Sequence, residues 1–510
     1  MVGRGFRVAR FTQFVAVVAV ALLALASAAA FAQDGSKQNA AAKKEKLDRA
    51  AVLLRGPKES QVRDGANLCL EVNDVDAVEL LLKVLGDSQP HHRDIVWEVL
   101  PKITDPYARR AVMQELKQNH KDEGVRQWCA ELLGMYGDVE LAAPLIDVLG
   151  DNDARLRAAA ARSLGKLKIK EAAKKLEKLV ADKDPIARAN AIEALARIDA
   201  SAYAATFSAG LHDADGGVRC ALLGAQPELY PALVETTAAT LLTDPDWRPR
   251  LQCVENLGPI QTLSAIDALV QASGDGRPIV AAKATAFLQK LSEKKFTLKA
   301  QWELWWKEAR ATFQFPDGKQ KASTPAPSEH RTSAKYHGID VASDHVAFVL
   351  DKSADMTKPA RGGGTKDEKA LAELERVLDH LQGGTFRFNV WTYGDETRRL
   401  EKQPIALDPK SEKQALAWTG KVDCKGNKAI WDVLQAVVSE PDIDTVFLLS
   451  SGEPEVGLYV HWNRVCEQLA DLNRFHKVVV HTVCWSDSKW YREQLEHIAL
   501  ATGGTFRGVE

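Results

Sequence analysis

The 510-residue chain is 45% hydrophobic and 27% charged, which excludes a wholly disordered, collagen-like or polytopic membrane protein. Its 67 basic and 69 acidic residues give a formal charge of -2, so no basic excess points to a nucleic-acid partner. At about 150 residues per domain, the length suggests roughly three domains.

Residues 1–32 read as an export signal: basic at Arg4, Arg7 and Arg10, then apolar, then small, with Ala30-Phe31-Ala32 as the cleavage motif before Gln33. The implied location is periplasmic or secreted, with no membrane span once the signal is removed. An uncleaved N-terminal anchor is the rival reading, because the apolar run approaches the roughly 18 residues that span a bilayer. Loss of the three arginines takes the formal charge to -5. Residues 33–49 form a lead segment. Seven scattered cysteines without C-x-x-C spacing indicate neither a disulfide framework nor a zinc site.

Between residues 120 and 290 the chain repeats every 31 residues. Asp151, Asp182, Asp213, Asp244 and Asp275 open successive units. Arg126, Arg157, Arg188, Arg219 and Arg250 fall in register, each four residues after Asp122, Asp153, Asp184, Asp215 or Asp246. An Asp at a helix start accepts from the free N–H groups of the first turn, and an Arg one turn on shares its face. These residues therefore predict helix caps and inter-helix pairing. Leu133, Leu164, Leu195, Leu257 and Leu288 mark one helix, and Leu145, Leu176, Phe207 and Leu269 a second, with Gln226 and Ala238 in a degraded unit. Two amphipathic helices per unit, neither able to bury its apolar face alone, predict an all-α solenoid over residues 50–310, of about seven units.

The run from Asp151 to Gly165, with Arg157 and Leu164, resembles short HEAT-like repeats of the kind found in phycobilin lyases. The resemblance implies a curved scaffold whose concave face binds proteins. Trp302, Trp305 and Trp306 lie on one helical face and predict a cap over the last repeat. Residues 311–337 are small, polar and proline-bearing, which predicts a linker between independently moving domains.

From residue 338 the pattern changes. Short β runs at 345–350, 386–393, 445–449, 477–483 and 505–509 alternate with helical segments, which argues a doubly wound, mostly parallel α/β sheet. Ligands in such sheets sit beyond the carboxyl ends of strands, which places chemistry in the loop after Asp351. Val346-Ala-Phe-Val-Leu-Asp351-Lys-Ser353-Ala-Asp355, Phe386–Tyr393, Leu448–Pro454 and Gly503–Phe506 together resemble a von Willebrand factor A-like domain over residues 338–510. In that family a D-x-S-x-S loop, a distant Thr and a further Asp build a metal-ion-dependent adhesion site. This chain keeps Asp351 and Ser353. Asp355 replaces the second Ser, Lys428 stands where the Thr is expected (Asn427 if the register slips by one), and Ser451 replaces the last Asp.

With an ammonium among two carboxylates the field on a divalent ion is weak, and magnesium demands strict octahedral oxygen geometry. The expectation is a degenerate, structural site in which Lys428 bridges Asp351 and Asp355 in place of an ion; magnesium or calcium is the alternative, calcium tolerating irregular cages better. No cofactor and no catalytic residue is expected. Asp351 and Asp355 as a general acid and base, or a lyase like some repeat relatives, are remote alternatives. The Arg361–Lys366 glycine run lacks phosphate-loop spacing, and His91-His92 and His476/His481 read as structural. The sequence thus points to an exported, non-enzymatic scaffold with a protein partner. A metal-dependent adhesion protein is its rival.

Overall fold

The structure is a computed structural model that describes residues 39–86, 89–117, 123–315 and 334–509. The expected signal and most of the linker lie outside these residues. Among the described residues no helix is long and apolar enough to cross a membrane. Cα packing divides the chain into two bodies, one of residues up to 87 with 95–114, the other of 88–94 with 115 to the C-terminus.

In the first body the helices Glu59–Val72 and Val75–Leu85 are separated by Asn73, in the left-handed conformation at φ 51°, and Asp74, whose carboxylate caps Ala77 N–H at 3.1 Å. Asn73 also exchanges hydrogen bonds with Thr104, through its Nδ2 at 2.8 Å and its Oδ1 at 2.9 Å.

In the second body the repeat is exact in its helix starts. The first helices begin at Glu123, Ala154, Pro185, Gly216, Trp247 and Pro278, each 31 residues after the last. All nine leucine and phenylalanine positions expected in the repeat core are buried, the most exposed being Phe207 at 3%. Gln226, the departure in the degraded unit, is buried too and donates to Thr237 Oγ1 at 2.9 Å.

The capping half of the expectation is met: Asp153, Asp184, Asp215 and Asp246 accept from first-turn N–H groups. Arg157, Arg188, Arg219 and Arg250 do not pair with the Asp four residues before them, because those carboxylates cap the backbone, and Asp122, expected before Arg126, lies outside the described residues. Each instead bridges to the next repeat. Arg157 donates to both oxygens of Asp182 (2.8 and 2.7 Å) and to the Asp151 carbonyl (2.8 Å). Arg188, Arg219 and Arg250 do the same with Asp213, Asp244 and Asp275, and Arg126 reaches Asp151 at 2.6 Å. Bidentate guanidinium–carboxylate geometry makes this a ladder that fixes the repeat-to-repeat angle. Burial opposes charge on Asp182 and Asp213, but the arginines and the Asp184 and Asp215 N–H groups hold both carboxyls below the ordinary range.

The second domain opens with a two-stranded ladder, β1 (Lys335–Tyr336) and β2 (Ile339–Asp340). Its main sheet contains β3 (His345–Asp351), β4 (Arg387–Tyr393), β5 (Thr397–Arg399), β6 (Ile405–Ala406), β7 (Thr445–Ser450), β8 (Val479–Cys484) and β9 (Phe506–Gly508). The order is β5-β4-β3-β7-β8-β9, parallel from β4 to β9, with β5 and β6 antiparallel to β4. Strand alternation sends Phe348, Leu350, Phe388, Val390, Phe447 and Leu449 to one core with the helices Lys366–His380 and Pro409–Thr419. Ala347 and Val349, on the opposite face, are equally buried. Both faces are therefore covered, as a doubly wound sheet requires.

The two domains are not independent, contrary to what the proline-bearing segment predicts. Arg277 of the last repeat donates to Asp444 Oδ2 at 2.7 Å and to the Asp442 carbonyl at 2.8 Å. Trp128 Nε1 donates to Tyr459 Oη at 3.1 Å, and Asp94 accepts from the N–H groups of Val460 and His461 at 2.7 and 2.8 Å. These pairings join the repeats from residue 123 onward and the sheet within the second body.

Burial depresses His337, His476 and His481 to about 4. His481 stacks on Phe447 with centroids 4.7 Å apart and accepts the Thr505 N–H through Nδ1 at 3.0 Å, so its neutral form is the bonded one. The unfolded chain binds protons first, near pH 6.5, so stability falls as pH drops from 6.5 toward 4. Chemical denaturation across this range is expected to show a flatter pH slope for His481→Phe than for the wild type.

Candidate functional site

The site forms where β3 and β7 end side by side. Asp351 closes β3, Ser353 precedes the 3-10 turn Ala354–Thr357 that contains Asp355, and Ser451 follows β7. Lys428 comes from the loop before the helix Ile430–Val438. That loop is pinned to the site by backbone bonds: Lys425 N–H to the Lys352 carbonyl at 2.8 Å, Ala354 N–H to the Gly426 carbonyl at 3.1 Å, and Ala429 N–H to the Gly394 carbonyl at 3.0 Å.

All five residues singled out by the sequence come together. Asp351 is fully buried and both of its carboxylate oxygens are engaged. Oδ1 accepts the Ser353 N–H at 2.7 Å; Oδ2 accepts the Ser451 N–H at 2.8 Å and its hydroxyl at 2.7 Å. Ser353 Oγ lies 3.4 Å from Ser451 Oγ. Ser451 thus supplies donors to Asp351 rather than a further charge.

Lys428 is 3% exposed, whereas Asn427 beside it is exposed and spends its N–H on Asp395. Of the two residues, Lys428 is therefore the one whose side chain enters the site. Its ammonium does not bridge Asp351 and Asp355. It sits 3.0 Å from Asp355 Oδ2 and 2.9 Å from Glu455 Oε2, with Asp351 contributing through space. The reason is that Ser451 and Ser353 already occupy both oxygens of Asp351. Glu455, which the sequence did not single out, is brought in because its own N–H bonds the Lys428 carbonyl at 3.0 Å. Lys358, also missed, pairs with the second oxygen of Asp355; its i,i+3 spacing in the short turn was the available signal.

Three carboxylates (Asp351, Asp355, Glu455) thus face two ammoniums (Lys358, Lys428). Burial opposes charge on both Asp355 and Lys428. Lys358 and Lys428 nevertheless lower the Asp355 carboxyl, and Glu455 and Asp355 raise the Lys428 ammonium. Asp355 contributes stability above its unfolded value that is lost as acid titrates it. Lys428 contributes below its unfolded value until alkali removes its proton. Both are charged at neutrality.

Of the weaker candidates, the 361–364 segment is a turn joined to the capping box of the helix Lys366–His380, with Thr365 as cap. His481 lies within β8 and His476 ends the helix Trp462–His476, apart from the carboxylates.

A family model of HEAT repeats matches residues 78–165, 109–196 and 142–225. Among solved structures, a von Willebrand factor type A protein from Catenulispora acidiphila is similar at 18% identity and a TM-score of 0.28, covering 33% of this chain and 39% of that one. The chain therefore spans well under half of that protein. The complex of CpcE and CpcF of phycocyanin lyase from Nostoc sp. PCC7120 is similar at 23% identity and a TM-score of 0.29, over 46% of this chain and 94% of that one. Human deoxyhypusine hydroxylase in complex with glycerol is similar at 17% identity and a TM-score of 0.23, over 50% and 99%. No curated protein matches the chain.

Proposed function

We propose that this chain, a run of HEAT repeats joined to a von Willebrand factor A-like domain, is an exported, non-enzymatic scaffold for a protein partner, and that its adhesion-type site works without a metal ion. The observation that carries the reading is the buried Lys428 ammonium held between Asp355 and Glu455. A divalent ion bound there would meet a fixed positive charge a few ångströms away and an Asp351 whose two oxygens already accept three hydrogen bonds. The donor set does not suit octahedral magnesium, and the nearby ammonium disfavours calcium as well. Lys428 takes the ion's electrostatic role, tying the Asp355 turn to the loop after β7. The full burial of Asp351, with both oxygens accepting hydrogen bonds from Ser353 and Ser451, argues against a general acid–base pair. Export rests on the N-terminal signal pattern alone.

Removing the ammonium tests the assignment. Lys428→Thr restores the family residue and leaves Asp351, Asp355 and Glu455 with a single exposed ammonium nearby. The variant is expected to melt below the wild type in chelator and to gain melting temperature with magnesium, manganese or calcium. If the variant gains nothing from any ion, Lys428 does not stand in for one.

A further inference from the structure

At one register of the first helices the solenoid carries a row spaced by 31 residues: Glu131, Arg162, Glu193, then Gly224, then Glu255. The helix Trp462–His476 of the second domain lies along this row. Asp471 pairs with Arg162 at 2.6 Å, Arg474 with Glu193, and Lys477, just past the helix end, with Glu255 at 2.7 Å. The three contacted members, Arg162, Glu193 and Glu255, read basic, acidic, acidic, and the helix answers acidic, basic, basic. Phe475 is 3% exposed and belongs to the apolar core of the repeats, with Val218, Leu222 and Leu251. Its carbonyl accepts from Arg248 Nη1 at 3.2 Å, and Gly217 leaves room for it: a Cβ there would stand 3.1 Å from that oxygen and 2.9 Å from Asp215 Oδ1.

The repeats thus bind a helix by an aromatic anchor flanked by matched charges, and the ligand is part of the same chain. We propose that this row is a receptor for an amphipathic helix which the second domain holds closed. The partner it takes is a protein presenting the same pattern: an acidic residue, a basic residue three positions on, an aromatic beside it, and a second basic residue two further along. Being tethered, the resident helix acts at an effective concentration on the order of millimolar. An incoming helix must therefore displace it, and this face of the repeats is occupied at rest. This inference is independent of whether the adhesion-type site takes an ion.

Two full-length variants test it. Arg474→Glu/Lys477→Glu keeps the native row and reverses the helix; Glu193→Arg/Glu255→Lys reverses the row and keeps the native helix. Each alone is expected to melt below the wild type and to keep the wild-type mass in sedimentation velocity. Mixed, each helix meets a complementary row in the other chain, and a 1:1 complex is expected. The fourfold variant, with charges matched again within one chain, is expected to recover the wild-type melting temperature. Wild-type melting of both double variants, or lowered melting without association on mixing, overturns the proposal. Should the double variants not fold, the fourfold variant decides: wild-type melting supports the receptor, and failure to fold overturns it.

Discussion

Arg277→Ala is expected to destabilise the protein by about 3–5 kcal/mol at neutral pH, the range for removing one partner of a buried ion pair. Asp444 is fully buried immediately before β7 and receives Arg277 Nε at 2.7 Å, with Ser343 and Thr445 hydroxyls on its other oxygen. Burial pushes its carboxyl upward, and Arg277 is the chief opposing influence. Without the guanidinium the carboxylate must stay charged in an apolar setting or take up a proton. A carboxyl whose folded pKa lies above its unfolded one weakens the fold above the unfolded value, and the penalty disappears as acid protonates both states. The deficit of Arg277→Ala should therefore be deepest at neutral pH and shrink toward pH 4, as urea denaturation at several pH values can read. Because replacing both members of a buried pair by apolar residues is often tolerated, Arg277→Met with Asp444→Leu should recover most of the loss.

Trp302→Ala should cost about 3–5 kcal/mol, the range for truncating a buried aromatic side chain. Trp302 is fully buried and meets Phe296 and Trp305 edge-on at 5.1 and 5.7 Å. Its neighbour Trp306 donates to Asp267 Oδ1 at 2.6 Å, anchoring the helix Lys299–Ala309 to the last complete repeat. Within a solenoid each repeat packs chiefly on its neighbours, so an uncapped end frays inward. Hydrogen exchange should then show the greatest loss of protection in the helices Leu263–Ala272 and Pro278–Ser292, with less toward Glu123–Tyr136.

The repeat was legible in the sequence because a 31-residue period fixes every helix start at once and 3.6-residue spacing selects the buried leucines. The partner of each arginine was not. Asp153 and Arg157 are four apart, which on an isolated helix argues for a pair, yet Asp153 sits at the cap and spends its carboxylate on the Arg155 N–H. The arginine is thereby left to the next repeat. At the site, motif resemblance found Asp351, Ser353, Asp355, Lys428 and Ser451, since the strand ends and the loops that follow them bring these residues together. Glu455 escaped because only the fold of the loop after β7 turns it back onto Lys428. The docking of the domains was legible at one position alone. Arg277 stands where the preceding repeats carry the capping Asp184, Asp215 and Asp246, a break in register whose meaning appears when its guanidinium reaches Asp444. Arg474 and Lys477 look like ordinary surface charges until their partners are seen.

The most direct test of an adhesion-type site run by an internal cation is thermal unfolding of the full wild-type chain in magnesium, manganese, calcium or chelator, with Asp351→Ala alongside, because an ion that binds only the native state raises the melting temperature. An unchanged wild-type melting temperature in all four solutions is the expected result. A rise with any ion that is lost in Asp351→Ala would contradict it and make ion-bridged adhesion the function of this domain.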